Sequence, residues 1–222
     1  MTNLRFETDG AEHFAGAALD LLPQICRELA QLPKNRAGIR LFSDSNVLDF
    51  LTPDGAIGGL ARDILGRHAR AVRAIYFDKS YENNWSLSWH QDRTICVKER
   101  IEVQGFGPWT IKDGKDHVAP PFDLLAQMIT LRLHIDDVPA TNAPLLIAPR
   151  SHKMGIIRED AIHQVVGACG VHACLARSGD IWVYSTPIVH ASERASIPGN
   201  RRVVQIDFSA QSLPGGLEWN CV

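Results

Sequence analysis

The chain has 222 residues, a formal net charge of −2, 45% apolar and 22% charged residues, the proportions of an ordinary globular protein. Scattered charges with no Lys/Arg run argue against nucleic acid or a membrane surface as partner, and no apolar stretch approaches the ~20 residues of a membrane span. Met1 to Glu7 lacks the apolar core of a signal peptide, so a cytoplasmic location is expected.

The length suggests one domain, residues 1–222, able to bury roughly 70% of its unfolded surface. Residues 11–35 read as helical, with Ala17, Leu19, Leu21, Leu22, Ile25, Leu29 and Leu32 at helix-like spacing and Pro23 as a break or restart. Arg36 to Phe42 reads as a short strand, Asp44 or Ser45 as a helix cap, and residues 56–70 as a second helix. From residue 71 the pattern changes to short β-like runs: 72–77, 85–89, 94–97, 128–135, 145–148, 173–176, 181–184 and 203–208. The Gly- and Pro-rich stretch 99–121 reads as a long loop of the kind that forms lids, and 155–166 as a short helical patch. A helical N-terminal part (about 1–70) packed on many short strands (about 71–210) predicts a mainly β jelly-roll barrel with flanking helices.

Chemistry concentrates in His90-Gln91-Asp92, followed far along the chain by His190 and, eleven residues later, by Arg201. On a strand, residues two apart point the same way, so His90 and Asp92 can supply two ligands from one strand end and His190 a third. Two imidazoles and one carboxylate on one face leave the other face of a metal open, which suits non-haem Fe(II). Arg201 would bring a permanently charged fork of the kind a dicarboxylate co-substrate requires. Alternation allows only one of Arg201 and Arg202 to face inward.

Several segments then resemble the phytanoyl-CoA dioxygenase family of Fe(II)/2-oxoglutarate-dependent oxygenases. They are Phe77-Asp78-Lys79 with Asn84-Trp85, Trp89-His90-Gln91-Asp92, and Leu133 to Val138. Asn142 to Leu145, Pro149 to Lys153, Gly179-Asp180, His190-Ala191-Ser192 and Arg201 follow. The resemblance implies a double-stranded β-helix with His90, Asp92 and His190 as iron ligands. Arg201 would pair with the far carboxylate of 2-oxoglutarate, and Ser192 with the same carboxylate. Arg132 falls at a cavity-lining position, and Lys79 matches a lysine of close relatives whose role is open. The activity implied is O2-dependent hydroxylation of a small organic molecule, with release of succinate and CO2. Because Asp92 is retained, halogenation is not expected. Arg150 stands where the family often has a glycine, so that turn is expected to be built differently.

Other readings stay open beside this one. A cupin-like metal oxygenase that does not use 2-oxoglutarate is the enzymatic alternative, and a non-catalytic metal- or ligand-binding module the other. His134 shares a strand face with Thr130, Arg132 and Asp136 and reads as a hydrogen-bonded core histidine or a cavity residue. Trp85 and Trp89 are read as core by default, with one of them a candidate to shape the pocket; Trp109 and His117 are candidate substrate contacts, His117 more readily exposed; and His152 is read as structural. Cys169, His172 and Cys174 form a weak zinc alternative. The five cysteines (with Cys26, Cys96 and Cys221) fit reduced thiols. Oligomeric state is open.

Overall fold

The computed structural model describes residues 3–33, 36–41, 51–52 and 54–220. A one-turn helix α1 (Phe6–Asp9) leads into β1 (Ala11–Phe14), then α2 (Leu22–Leu29), β2 (Ile39–Leu41) and α3 (Ala56–Leu65). The strands β3 (Arg70–Lys79), β4 (Leu87–His90) and β5 (Ile95–Cys96) follow, then the hairpin β6 (Trp109–Lys112) and β7 (Lys115–Val118) and a short α4 (Phe122–Ala126). The chain ends with β8 (Ile129–His134), β9 (Leu145–Ile147), α5 (Ile162–Cys169), β10 (His172–Cys174), β11 (Ile181–Ser185), β12 (His190–Ser192) and β13 (Arg201–Ser209).

Six strands form one antiparallel sheet in the order β1-β11-β8-β13-β3-β2, and four form a second in the order β10-β9-β12-β4. This is the jelly-roll barrel that the strand pattern predicts, in the double-stranded β-helix form that the resemblance implies. The larger sheet sorts its side chains by strict alternation. Leu131, Leu133, Val204 and Ile206 face outward into an apolar layer with Ile25 and Leu29 of α2 and Ile57 and Ala61 of α3. The opposite face, turned toward the smaller sheet, carries Arg73, Ile75, Phe77 and Lys79 from β3. Arg201, Gln205 and Asp207 join from β13, and Thr130, Arg132 and His134 from β8. A continuous apolar outer layer therefore permits a polar interior.

The sequence expectations hold for β2, α3 and most of the strands after residue 70, and differ in four places. Residues 11–14 are a strand, because Ala11-Glu12-His13-Phe14 pairs along β11 at the sheet edge. The helical reading of 11–35 holds only from about Leu19, and Pro23 sits in the first turn of α2, where its missing N–H costs nothing. The 99–121 stretch is not a structureless loop. Its second half forms the β6–β7 hairpin, which pairs with β5 and packs through Val118 against Val72, Ile95, Leu125 and Trp219. The helical patch begins later than expected, at Ile162. The possible cap at Asp44 or Ser45 lies outside the described residues.

The Arg150 turn corrects another expectation. It keeps the left-handed conformation a glycine would supply (φ 72°), with Arg carrying the strain. A true glycine is required at Gly10, also at positive φ, where an added Cβ would lie 2.2 Å from the His152 ring. His152 is thus a packing residue, as expected.

Leu131 is fully buried at the centre of the larger sheet, whereas Ile111 on the hairpin is 74% exposed. Leu131→Ala is expected to lower unfolding free energy by about 2–5 kcal/mol, and Ile111→Ala by less than ~0.5 kcal/mol, as read by urea denaturation of each variant.

Candidate metal centre

β4 ends at His90 and β12 begins at His190, and the two are paired directly across the smaller sheet. Their rings lie 4.2 Å apart at 58°. Asp92 leaves the end of β4 toward the same point, so one ligand atom from each of His90, Asp92 and His190 falls within 4.8 Å of the others. Among the described residues this is the one such group of potential metal ligands. Cys169, His172 and Cys174 do not converge, which removes the zinc alternative within those residues.

The hydrogen bonds fix what the two imidazoles can offer. His90 Nδ1 donates to the Ser88 carbonyl at 2.7 Å, and His190 Nδ1 donates to the Ile188 carbonyl at 2.9 Å. A carbonyl only accepts, so each Nδ1 carries the proton and each Nε2 presents a lone pair. Burial, with His90 beside it, pushes the His190 pKa down to about 4, so this ring is neutral at pH 7. Burial works against ionisation of Asp92, but the attraction of Arg73, His190 and His90 outweighs it and holds the carboxyl at about 2. Two imidazole Nε2 atoms and one carboxylate are the donor set that a divalent metal needs.

Arg73, which the sequence reading did not single out, holds Asp92 in place. Its Nη2 donates to Asp92 Oδ2 at 3.1 Å and its Nε to Asp207 Oδ2. Asp207 also accepts from Thr130 Oγ1 at 2.9 Å, and Thr130 meets Thr186. The signal was present in sequence: Arg73 shares the parity of Ile75, Phe77 and Lys79, so a charge there must face inward with them.

A cavity of about 90 Å³ opens at this point. Ile75, Phe77, Trp85 and Leu87 form its apolar side, and Arg132, Gln205 and Ser192 its polar side, beside the three convergent residues. Arg201 and Lys79 do not line this cavity but lie buried on the same sheet face, paired in register across β13 and β3. Arg202 faces the opposite way and forms a two-point pair with Asp136, which settles the parity question in favour of Arg201 as the inward residue.

Arg201, Lys79 and Arg132 make an unusual group. Arg201 is fully buried and none of its three side-chain nitrogens has a hydrogen-bond partner. Lys79 donates to Ser192 Oγ at 2.9 Å and to the Glu193 carbonyl at 2.8 Å, and stands over the Trp85 ring at 4.5 Å. Arg132 donates to Gln205 Oε1 at 3.0 Å while its Nε is unpartnered. Burial, then Arg201 and Arg132, lower Lys79 to about 7; burial, then Arg132, lower Arg201 to about 9. Among the described residues none of the three forms a salt bridge. Such a cluster can accept an anion with two or more charges.

The remaining candidates separate from the centre. Trp85 lines the cavity, whereas Trp89 packs beside Val189 and α5. His134 is fully buried, but neither ring nitrogen has a partner, so it is not the hydrogen-bonded core histidine of one reading. Burial, Arg132 and Arg201 keep it neutral. His117, expected exposed, is also fully buried, and lies in β7 with its Nδ1 on the Lys115 carbonyl. Trp109 packs with Arg100 over its ring.

The fold has solved counterparts. HygX from Streptomyces hygroscopicus, with nickel and 2-oxoglutarate bound, is 18% identical with a TM-score of 0.62, covering 92% of this chain and 84% of its own. EctD from S. alaskensis, in its apoform, is 15% identical with a TM-score of 0.66, covering 92% and 74%. SnoN, a non-haem α-ketoglutarate-dependent epimerase from nogalamycin biosynthesis, is 16% identical with a TM-score of 0.63, covering 96% and 88%. No curated protein sequence matches the chain. No helix among the described residues is long and apolar enough to cross a membrane. The family model described as phytanoyl-CoA dioxygenase (PhyH) matches residues 34–203, most of the chain and well into the segment before β3, and the chain belongs to that family.

Proposed function

We propose that the protein is an Fe(II)/2-oxoglutarate-dependent oxygenase that hydroxylates a small organic molecule. The observation that carries this reading is the pairing of a convergent His90, Asp92 and His190 with a buried, unpartnered Arg201 on the facing sheet. The first set fits a divalent metal with open positions, and the second fits a dicarboxylate. A metal oxygenase without 2-oxoglutarate would leave the Arg201 cluster without a purpose. HygX with 2-oxoglutarate bound, and SnoN as an α-ketoglutarate-dependent enzyme, support the co-substrate assignment.

Fe(II) with 2-oxoglutarate supplies the oxidation of a substrate C–H bond by O2, coupled to conversion of the co-substrate to succinate and CO2. The chain's own part is positioning. His90 and His190 present Nε2, and Asp92 its carboxylate, with the tautomers set by the Ser88 and Ile188 carbonyls. Arg73 holds Asp92 against rotation. Arg201 takes the far carboxylate of 2-oxoglutarate, and Arg132, Lys79 and the hydroxyl of Ser192 complete its surroundings. Phe77, Trp85, Leu87 and Ile75 keep water away from the reacting carbon. Because Asp92 is retained beside His90 and His190, the family resemblance favours hydroxylation over halogenation.

Anaerobic addition of Fe(II) and 2-oxoglutarate is expected to produce a weak visible charge-transfer band. His90→Ala should abolish it, and Arg201→Leu should raise the 2-oxoglutarate needed by about 10- to 100-fold, the loss of charge-assisted hydrogen bonds. Bound iron without a band in the wild type would sink the co-substrate assignment. Arg201→Leu also removes an uncompensated buried cation. Its melting temperature without ligands should therefore equal or exceed that of the wild type, while the upward shift that 2-oxoglutarate gives the wild type disappears. Arg73→Met is expected to destabilise the fold by about 3–5 kcal/mol, because two carboxylates lose one buried partner. It should also weaken Fe(II) binding by about 10- to 100-fold, measured by urea unfolding and by metal titration.

A further inference from the structure

The inner face of the larger sheet crosses the metal cavity in one row. Ile75 on β3, Gln205 on β13 and Arg132 on β8 are paired in register, and all three line the cavity. His90 and His190 line it from the smaller sheet, so the Gln205 carboxamide stands on the wall facing the two imidazoles. Gln205 is only 6% exposed, and it belongs neither to the triad nor to the deep cations.

Arg132 fixes which end of this amide is free. Its Nη1 donates to Gln205 Oε1 at 3.0 Å. A guanidinium only donates, so the amide oxygen must sit on the Arg132 side, and Nε2 keeps two N–H groups for another partner. Those donors meet no acceptor among the described residues, on a side chain that opens onto the cavity. The other polar side chains of the cavity, apart from the triad, also offer donors. Arg132 has only N–H groups, with its Nε unpartnered. Ser192 Oγ accepts from Lys79 and keeps its own proton to give. Arg73 is already taken by Asp92 and Asp207. A ligand that fits must bring acceptors.

Position along β13 decides which part of that ligand Gln205 meets. Arg201, Val203 and Gln205 share one face at two-residue steps, so the Cα atoms of Arg201 and Gln205 are about 13 Å apart at the usual strand rise. Both side chains are long enough to lean into that gap. Val203, with Phe77 as its register partner, lies between them and presents only carbon. Donor, carbon, donor is the complement of a diacid extended along the strand. Its far carboxylate meets Arg201, its methylenes pass Val203 and Phe77, and its keto-acid end reaches Gln205 beside the triad. A neutral amide suits that end, because it orients a carboxylate without adding a positive charge that would compete with a metal for the same oxygens.

We propose that Gln205 binds the keto-acid end of 2-oxoglutarate, donating from Nε2 to an oxygen of the near carboxylate while Arg132 holds its Oε1. This rests on the oxygenase reading and deepens it. The co-substrate is divided between two residues of one strand, with Arg201 holding the far end and Gln205 directing the reacting end.

The two ends are separated by two ligands. The full-length protein loaded with Ni(II) is titrated calorimetrically with 2-oxoglutarate and with 2-oxopentanoate, the same chain without the far carboxylate. Gln205→Met, and equally Gln205→Leu, should weaken both ligands by the same factor, about tenfold or more, the loss of a hydrogen bond to a charged group. Arg201→Leu should weaken 2-oxoglutarate and leave 2-oxopentanoate unchanged. Gln205→Glu returns an acceptor to Arg132 but has no N–H to donate, so it should not recover keto-acid binding. A loss confined to 2-oxoglutarate, or no loss of either ligand, would overturn the proposal. Recovery in Gln205→Glu would do the same, because Gln205 would then act only by steadying Arg132. The Fe(II)–2-oxoglutarate band of the wild type reports separately on the underlying reading. A band present while Gln205→Met keeps full keto-acid affinity removes this proposal alone; no band with iron bound removes the co-substrate assignment beneath it.

Discussion

Arg201, Lys79 and Arg132 crowd against one another inside the barrel with no carboxylate among the described residues to meet them. Desolvating a cation costs several kcal/mol even after relaxation, and neighbouring cations add repulsion. The fold tolerates the group only partly: Lys79 and Arg201 are driven toward their neutral forms, Lys79 leans on the Ser192 hydroxyl and the Trp85 face, and Arg132 on Gln205. A ligand dianion would relieve all three at once, and its binding free energy would appear as stability of the folded state. The apolar outer layer of the same sheet supplies the stability that makes an unfavourable interior affordable.

Asp207 shows how the metal end meets the opposite problem. There the surplus is negative, with Asp92 after β4 and Asp207 on β13, and Arg73 pairs with both. Thr130 and Thr186 carry the network onward to β8 and the end of β11. A ligand carboxylate braced in this way turns little when a metal binds, which lowers the reorganisation that coordination requires. Gln91, between His90 and Asp92, ties the end of β4 to the backbone of Gly155, Ile157 and Pro187.

Sequence alone carried the strand pattern after residue 70, because half-buried strands leave an alternating or apolar signature. The convergent triad was legible from His-X-Asp and a distant His, since two-residue spacing fixes their common direction. Arg201 against Arg202 was narrowed by parity and decided by Asp136, whose contact no sequence pattern reveals. Where reading failed, tertiary context had overridden local preference. Ala11 to Phe14 is a strand because β11 offers an unpaired edge, and apolar spacing cannot report an edge. The hairpin was hidden by glycines and prolines that mark its turns, and with it went the burial of His117. Arg73 was missed for another reason: its role exists only through Asp92 and Asp207, one near in sequence and one far.

A single strand then sets the order of events along the cavity. On the inner face of β3, Arg73, Ile75, Phe77 and Lys79 follow at two-residue steps, about 20 Å from end to end at the usual strand rise. Arg73 braces Asp92, Ile75 and Phe77 line the slot, and Lys79 joins the deep cations. Arg40 extends the same face sideways from Ile75. A slip of one residue would turn Val72, Ala74, Tyr76 and Asp78 inward and put an acid where the deep cluster needs a base. The long pairing of β3 with β13, from Arg201–Lys79 to Ser209–Arg70, is what forbids that slip. Register in one sheet pair therefore fixes the identity of the charges around the centre, and a change that loosened it would rearrange the Arg73 pair and the deep cations together.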